Sequence, residues 1–347
     1  MKRVLLTGGC GFIGGHTVEH WLVNTDWHIV VMDALRHAGD VARLTASKVF
    51  DPDRVTVVWH DLRASIYSSL AKEIGDVDYV VNMASDSHVE RSINEPVPFI
   101  QNNVAVALTM LEYARESKPE KFIQIGTDEI FGPAPDSVSH KEDDPLRPSN
   151  PYSASKAAQE MLAFAYWRTY GVPIICTRTM NNFGERQNPE KYVPMVISKV
   201  LRGEMVPVHA QPLVEVPDPT NPEHWRPGSR VWLHARNHAD ALQFILQKLD
   251  PVLYGADTLT PLRFNLAGER EIDNYQIASL VAEVLEMPLR FRFEDYHKSR
   301  PGHDLRYSLD GSAIRRAGWR QPVPLDESFR KMVLWTARSL TTCAGSG

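Results

Sequence analysis

The sequence predicts an α/β protein, with a doubly wound parallel sheet first and a smaller mixed α/β part after it. Three observations predict it. Over the first 130 residues, short β-branched runs alternate with amphipathic helical patterns. Continuous apolar strands between helices belong to parallel sheets covered on both faces. A glycine-rich turn, Gly8-Gly9-Cys10-Gly11-Phe12-Ile13-Gly14, joins the first strand to the first helix. After about residue 185 the alternation loosens.

The expected strands are 3–7, 28–33, 55–60, 79–83 and 121–126, with helices between them, 14–24 and 103–117 among them. A helix over 152–171 leads to a strand over 173–179. Residues 209–228 hold five prolines and read as an extended loop, a type usually functional or mobile when long. Helices are expected over 239–248, 274–285 and 325–339, with a frayed tail over 341–347. The corresponding division is 1–185 for the parallel-sheet domain, with 231–260 returning to it, and 186–230 plus 261–340 for the smaller one.

Composition narrows the function classes. Hydrophobic content is 43% and charged content 23%, ordinary for a water-soluble globular chain. A formal charge of −5 gives no electrostatic reason to expect nucleic acid or an anionic membrane. No stretch approaches the ~20 apolar residues of a membrane span. The run Val4-Leu5-Leu6 after Met1-Lys2-Arg3 is too short for a secretory leader. Cys10, Cys176 and Cys343 are spaced for neither a zinc site nor a disulfide framework. Free thiols in a reducing cytoplasm, and no metal, are the expectation.

The turn carries the first chemistry. Gly8, Gly11 and Gly14 recur every third residue. Glycine lets the chain turn tightly and lets its backbone approach a pyrophosphate. The helix N-terminus beyond, entered through Phe12 and Ile13, offers free N–H groups and a positive dipole. Asp33 lies nineteen residues past Gly14 at the end of the second strand, placed to accept from ribose hydroxyls. This is the Rossmann fingerprint. The Asp33 carboxylate would repel a 2′-phosphate, which favours NAD over NADP. Asp61-Leu62, after the third strand, either flanks the adenine or caps a turn.

Tyr152 and Lys156 stand at i and i+4, on one face of the expected 152–171 helix. A nearby cation favours the ionised phenol, so a lowered Tyr152 pKa is expected. The phenolate can take a hydroxyl proton while hydride leaves the same carbon. Thr127 follows the fifth strand, where its hydroxyl can reach the same oxygen. Together these features resemble the extended short-chain dehydrogenase/reductase family, over nearly the whole chain.

Asp128 and Glu129 follow Thr127 at the carboxyl end of a central strand, where open α/β sheets bind ligands. Adjacent carboxylates resist joint ionisation, so one can stay protonated while the other acts as base. Thr127-Asp128-Glu129-Ile130-Phe131-Gly132 resembles the Thr-Asp-Glu-Val-Tyr-Gly segment of the dTDP-glucose 4,6-dehydratases. Further likenesses are the turn after Asp33, Ser87-His88-Val89-Glu90-Arg91-Ser92-Ile93, Asn181-Asn182-Phe183-Gly184 with Pro189-Glu190-Lys191, and Arg300-Pro301-Gly302-His303-Asp304-Leu305-Arg306-Tyr307.

The resemblance implies tightly held NAD, contacted by the glycine turn, Asp33, Asp61, Leu62, Asn103, Tyr152 and Lys156. It implies a nucleotide-sugar substrate. Asn182, Arg230, Asn265, Arg300 and His303 would take the diphosphate side, since arginine's planar fork suits phosphate. Ser87 and His88 would border the sugar, although His88 reads equally well as a loop histidine with a structural bond. It implies a homodimer through helices 103–117 and 152–171. Glu129 would be the C5 base and Asp128 the acid at the 6-hydroxyl. Epimerases and decarboxylases of this fold share the glycine turn and the Tyr-Lys pair but usually lack the Asp-Glu pair, and non-catalytic NAD-binding relatives often lose the Tyr or the Lys. Two departures stand out: the longer, proline-rich 209–228, and Arg236-Asn237-His238 where the family usually has Glu-Asp-His.

Overall fold

The computed structural model describes residues 1–36, 38–251, 259–299 and 304–344. Seven strands form one sheet: β1 Arg3–Thr7, β2 His28–Asp33, β3 Val55–Trp59, β4 Tyr79–Asn82, β5 Lys121–Thr127, β6 Ile174–Thr179 and β7 Leu262–Leu266. Their order is β7-β6-β5-β4-β1-β2-β3, and every pairing is parallel. The order reverses at β1, the kind of switch point where open α/β sheets take ligands at their carboxyl edge.

The strand residues explain the layers. Val4, Leu6, Ile29 and Val31 face one side, where they pack with Trp21 and Leu242. Leu5, Val30 and Met32 face the other, against Val106, Met110 and Ala163. Side chains alternate across a strand, so a run with no polar positions demands cover on both faces. Helix α1, Phe12–Asn24, packs with Ala235–Lys248 on one side. Helices α2, Pro96–Ser117, and α3, Pro151–Tyr170, pack together on the other. A separate apolar cluster, with Val196, Val208, Trp225, Ile277, Phe293 and Phe329, forms the core of the smaller part.

Several expectations are corrected. Helix α2 begins at Pro96, seven residues before the expected 103, because proline is tolerated in a first turn. The 239–248 helix begins at Ala235, after His234 caps it. The last helix runs through Ala344, past the expected end at 339; residues 345–347 lie outside the described ones. Residues 209–228 are a loop only at their centre, 213–221, and strand at both ends. Strand Val206–Pro212 pairs parallel with Phe291–Asp295 and antiparallel with Trp225–Pro227. Strand β7 falls inside the stretch expected in the smaller domain, yet it hydrogen-bonds to β6 as an edge of the main sheet. In both cases the pairing partner lies some eighty residues away in sequence, beyond what local pattern can reveal.

Candidate active site

Gly8 has φ +70°, and a Cβ there would lie 3.0 Å from Ala84 Cα. A Cβ on Gly14 would lie 2.3 Å from the Gly8 carbonyl oxygen. The turn therefore closes on itself so tightly that side chains are excluded. Gly11 precedes α1 and no side chain caps it. The first-turn N–H groups of Phe12, Ile13 and Gly14 have no intrahelical acceptor. Such a cradle fits the pyrophosphate of a dinucleotide. Asp33 Oδ2 accepts from Cys10 N–H at 3.0 Å, and Oδ1 from Leu35 N–H at 2.9 Å, so its carboxylate is aimed by the turn itself. Arg36 donates to Asn102 Oδ1 at 2.9 Å.

Other expected cofactor residues are engaged within the protein. Asp61 accepts from the Arg63 N–H and from its Nε, each at 3.0 Å. That guanidinium pulls its carboxyl down to about 2. The turn-cap alternative accounts for these contacts. Leu62 is buried in the core. Asn103 Oδ1 accepts from Asp86 N–H at 2.8 Å, and Nδ2 donates to Asp86 O at 3.0 Å and Ser155 Oγ at 2.9 Å. Its amide ties the loop after β4 to α3.

At the end of β5, Thr127 Oγ1 donates to Asp128 Oδ1 at 2.9 Å and accepts from the Glu129 N–H at 3.4 Å. The Tyr152 phenol hydrogen-bonds this same Thr127 side chain. The expected catalytic residues Thr127, Asp128, Glu129 and Tyr152 thus meet. Burial pushes Asp128 up to about 6, against the pull of Arg230. Burial first and the Asp128 charge second push Glu129 up to about 7. Asp128 Oδ2 is buried with no protein partner.

The lowered Tyr152 pKa is overturned. Burial pushes the phenol well above its usual range, and the charges of Glu129 and Asp128 add to this. Lys156 does not counter them, because its ammonium points elsewhere. Nζ donates to Ile125 O at 2.7 Å and to Gln159 Oε1 at 2.6 Å, and burial lowers its pKa to about 7.

Sequence reading missed Gln159 and Asn150. Asn150 caps α3 in a reciprocal capping box and donates from Nδ2 to Glu129 Oε2 at 3.3 Å. The Asn-Pro pair ahead of the helix was its signal. Gln159, three residues past Lys156 on the same face, carried a weaker one.

On the substrate side, Ser87 is exposed after β4. His88 Nδ1 accepts from Arg91 N–H at 3.3 Å, capping the next helix, while Nε2 lies 3.8 Å from Glu190 Oε2. Asn182 Nδ2 donates to Thr179 Oγ1 at 2.9 Å, and its Oδ1 is buried without a partner. Arg230 donates to Leu305 O at 2.8 Å and Asp304 O at 2.9 Å and lies over the Tyr307 ring. Asn265 departs from expectation: fully buried, it donates to His140 O at 2.9 Å, and its hydrogen bonds do not run to the Arg230 cluster. Arg300 and His303 lie outside the described residues. The second departure has a structural partner. Arg236 Nη2 lies 3.6 Å from Glu185 Oε1, and the other Glu185 oxygen meets His234 Nε2 at 3.2 Å.

Residues 4–257 match the sequence model of the NAD dependent epimerase/dehydratase family. The chain belongs to this family. Among its members, the low-salt glycan biosynthesis protein Agl12 of Haloferax volcanii is 35% identical over 95% of this chain and 97% of its own. A dTDP-glucose 4,6-dehydratase of Salmonella typhimurium is 33% identical, over 96% and 92%. The crystal structure of the dTDP-glucose 4,6-dehydratase DesIV from Streptomyces venezuelae, with NAD bound, superposes with a TM-score of 0.81 at 32% identity, covering 98% of each chain. The family's NAD dependence agrees with the glycine cradle and with Asp33. No described helix is long and apolar enough to cross a membrane.

Proposed function

We propose that this chain is an NAD-dependent nucleotide-sugar 4,6-dehydratase acting on dTDP-glucose, with UDP-glucose the alternative substrate. The observation that carries this reading is the Thr127–Asp128–Glu129 turn. It sets the buried Asp128 and the half-buried Glu129 carboxyl, both raised toward neutrality, beside the Tyr152 phenol. Oxidation at C4 alone needs only the tyrosine. Two carboxyls are what elimination of water adds.

Bound NAD would supply the hydride acceptor at C4 and return that hydride to C6, and its positive nicotinamide would favour the ionised phenol. The glycine turn and Asp33 would hold it. The protein's own groups do the rest. Tyr152, steered by Thr127, takes the 4-hydroxyl proton. The 4-ketone acidifies the C5 proton, which Glu129 removes and returns to C5 once C6 has been reduced. Asp128 gives a proton to the 6-hydroxyl, and water leaves. Asn182 and Arg230 border the diphosphate, with Ser87 and His88 toward the sugar.

A homodimer in the cytoplasm completes the reading. Helices α2 and α3 pack side by side and leave Val97 62%, Leu108 42% and Met161 45% exposed. A second copy covering these side chains would remove an apolar surface from water. Sedimentation of the purified protein tests the dimer.

The activity test is mass spectrometry of the purified protein incubated separately with dTDP-glucose and UDP-glucose, without added NAD. Loss of one water from either supports dehydration and names the base. An epimer with no water loss would instead favour an epimerase.

A further inference from the structure

Beneath the acid turn lies a buried ion pair that the reaction scheme above does not use. Arg178, on β6, and Glu160, on α3, are each 1% exposed. Arg178 Nε donates to Glu160 Oε2 at 3.0 Å, and Nη2 donates to the other carboxylate oxygen. Its remaining arm, Nη1, donates to Glu142 O at 2.7 Å.

Burying such a pair carries a desolvation cost, and apolar residues of similar volume often serve stability as well. The geometry gives it another use. Arg178 touches the acid turn on both sides. Before the turn, Gly126 sits so close that a Cβ would lie 3.3 Å from Arg178 Cγ and 2.9 Å from Thr177 O. After it, Phe131 ends the short helix Asp128–Phe131, and the guanidinium carbon lies 4.9 Å from its ring centroid. The His140 ring stacks on Phe131 as well, at 5.0 Å and 14°. Asp128 and Glu129 lie between these two contacts. A planar guanidinium offers a fixed fork to Glu160 and a flat face to Phe131 at once, which an ammonium cannot do. By contrast, Lys156 is fixed by Ile125 O and Gln159, and the Tyr152 phenol by Thr127.

We infer that Arg178, locked by Glu160 and stacked against Phe131, is a positioning residue for the Asp128–Glu129 turn, serving the loss of water rather than the oxidation at C4. The inference rests on the dehydratase reading. Glu160 stands one helical turn past Lys156 and its charge reaches that ammonium, so the test changes Arg178 and Phe131 and leaves Glu160 alone.

Arg178→Lys keeps the charge but loses the fork and the flat face. Phe131→Leu keeps the ion pair but loses the ring. Single turnovers of dTDP-glucose on the holoenzyme are quenched over time, and mass spectrometry separates substrate, 4-ketone with its 6-hydroxyl intact, and dehydrated product. A misplacement of a fraction of an ångström in an acid–base pair should slow water loss by at least ~tenfold. The 4-ketone should form at close to the wild-type rate in both variants and accumulate. Oxidation and water loss falling together, or neither changing, would overturn the inference. Should Arg178→Lys fail to fold, Phe131→Leu decides by the same criteria. A wild-type protein that dehydrates no nucleotide sugar takes down the dehydratase reading and this inference together. Normal wild-type turnover with an unchanged partition in the variants takes down the inference only.

Discussion

Lys156 Nζ donates to Gln159 Oε1 at 2.6 Å, three residues farther along the same helix. Gln159 in turn donates to Asn103 O at 2.6 Å, which holds its oxygen toward the lysine. Burial lowers Lys156 to about 7, so its charge is lost as pH rises through that value. Replacing Gln159 by Leu removes an acceptor that favours the charged form. The Lys156 ammonium should then lose its proton at lower pH than in the wild type. A nitrogen NMR titration of isotope-labelled lysine in both proteins checks this, and an unshifted midpoint would remove Gln159 from the holding of that charge.

Glu129→Gln should still oxidise C4 but leave the C5 proton in place. General bases contribute about 10²–10⁴-fold, and a loss of that order in dehydration is expected. Quenched reactions in deuterated water should show the 4-ketone without deuterium at C5. Product formed at the wild-type rate would take Glu129 out of the role.

The same substitution has a signature in stability. Glu129 is raised to about 7 in the folded protein against an unfolded value near 4.3. Between those values the folded state holds more protons than the unfolded one, so wild-type stability falls as pH rises from about 4 to about 7. Glutamine cannot ionise. Glu129→Gln should therefore have the higher urea midpoint at pH 8, by an amount on the order of 1 kcal/mol, and the gap should close near pH 4.

Gly14→Ala would push a methyl to 2.3 Å from the Gly8 oxygen and 2.6 Å from Gly9 Cα, both backbone atoms that cannot swing away. The turn must open, and the N–H groups aimed at the pyrophosphate lose their alignment. The protein should purify with little NAD while keeping its sheet. NAD released by acid, together with circular dichroism, measures both.

Asp33 and Asp61 should separate in the same assay. Asp33 is aimed by Cys10 and Leu35 at the end of β2, whereas Asp61 is paired with Arg63. Asp33→Asn should weaken NAD binding by about tenfold, the worth of a charge-assisted bond, and Asp61→Asn should leave it near wild type. Equal losses would bring Asp61 back to the adenosine.

Much was legible from residues alone. The apolar runs and helical patterns between residues 3 and 179 carry their own periodicity, so strands β1 to β6 fall within a residue or so of their expected bounds. The glycine turn was readable because glycine suits both the positive φ and close backbone at Gly8 and the backbone contact at Gly14. The adjacency of Asp128 and Glu129 announced a coupled pair, and burial raises both. Tertiary structure decided the rest. The pairing of Val206–Pro212 with Phe291–Asp295, and of β7 with β6, joins segments that share no local signal. The i and i+4 spacing put Tyr152 and Lys156 on one helix face. Whether the ammonium then turned toward the phenol or toward Ile125 and Gln159 depended on which acceptors the neighbouring strand and helix brought within reach, and on how much water packing excluded. Periodicity along a chain sets which face a side chain occupies; its protonation and its partner are set by what the fold brings against that face.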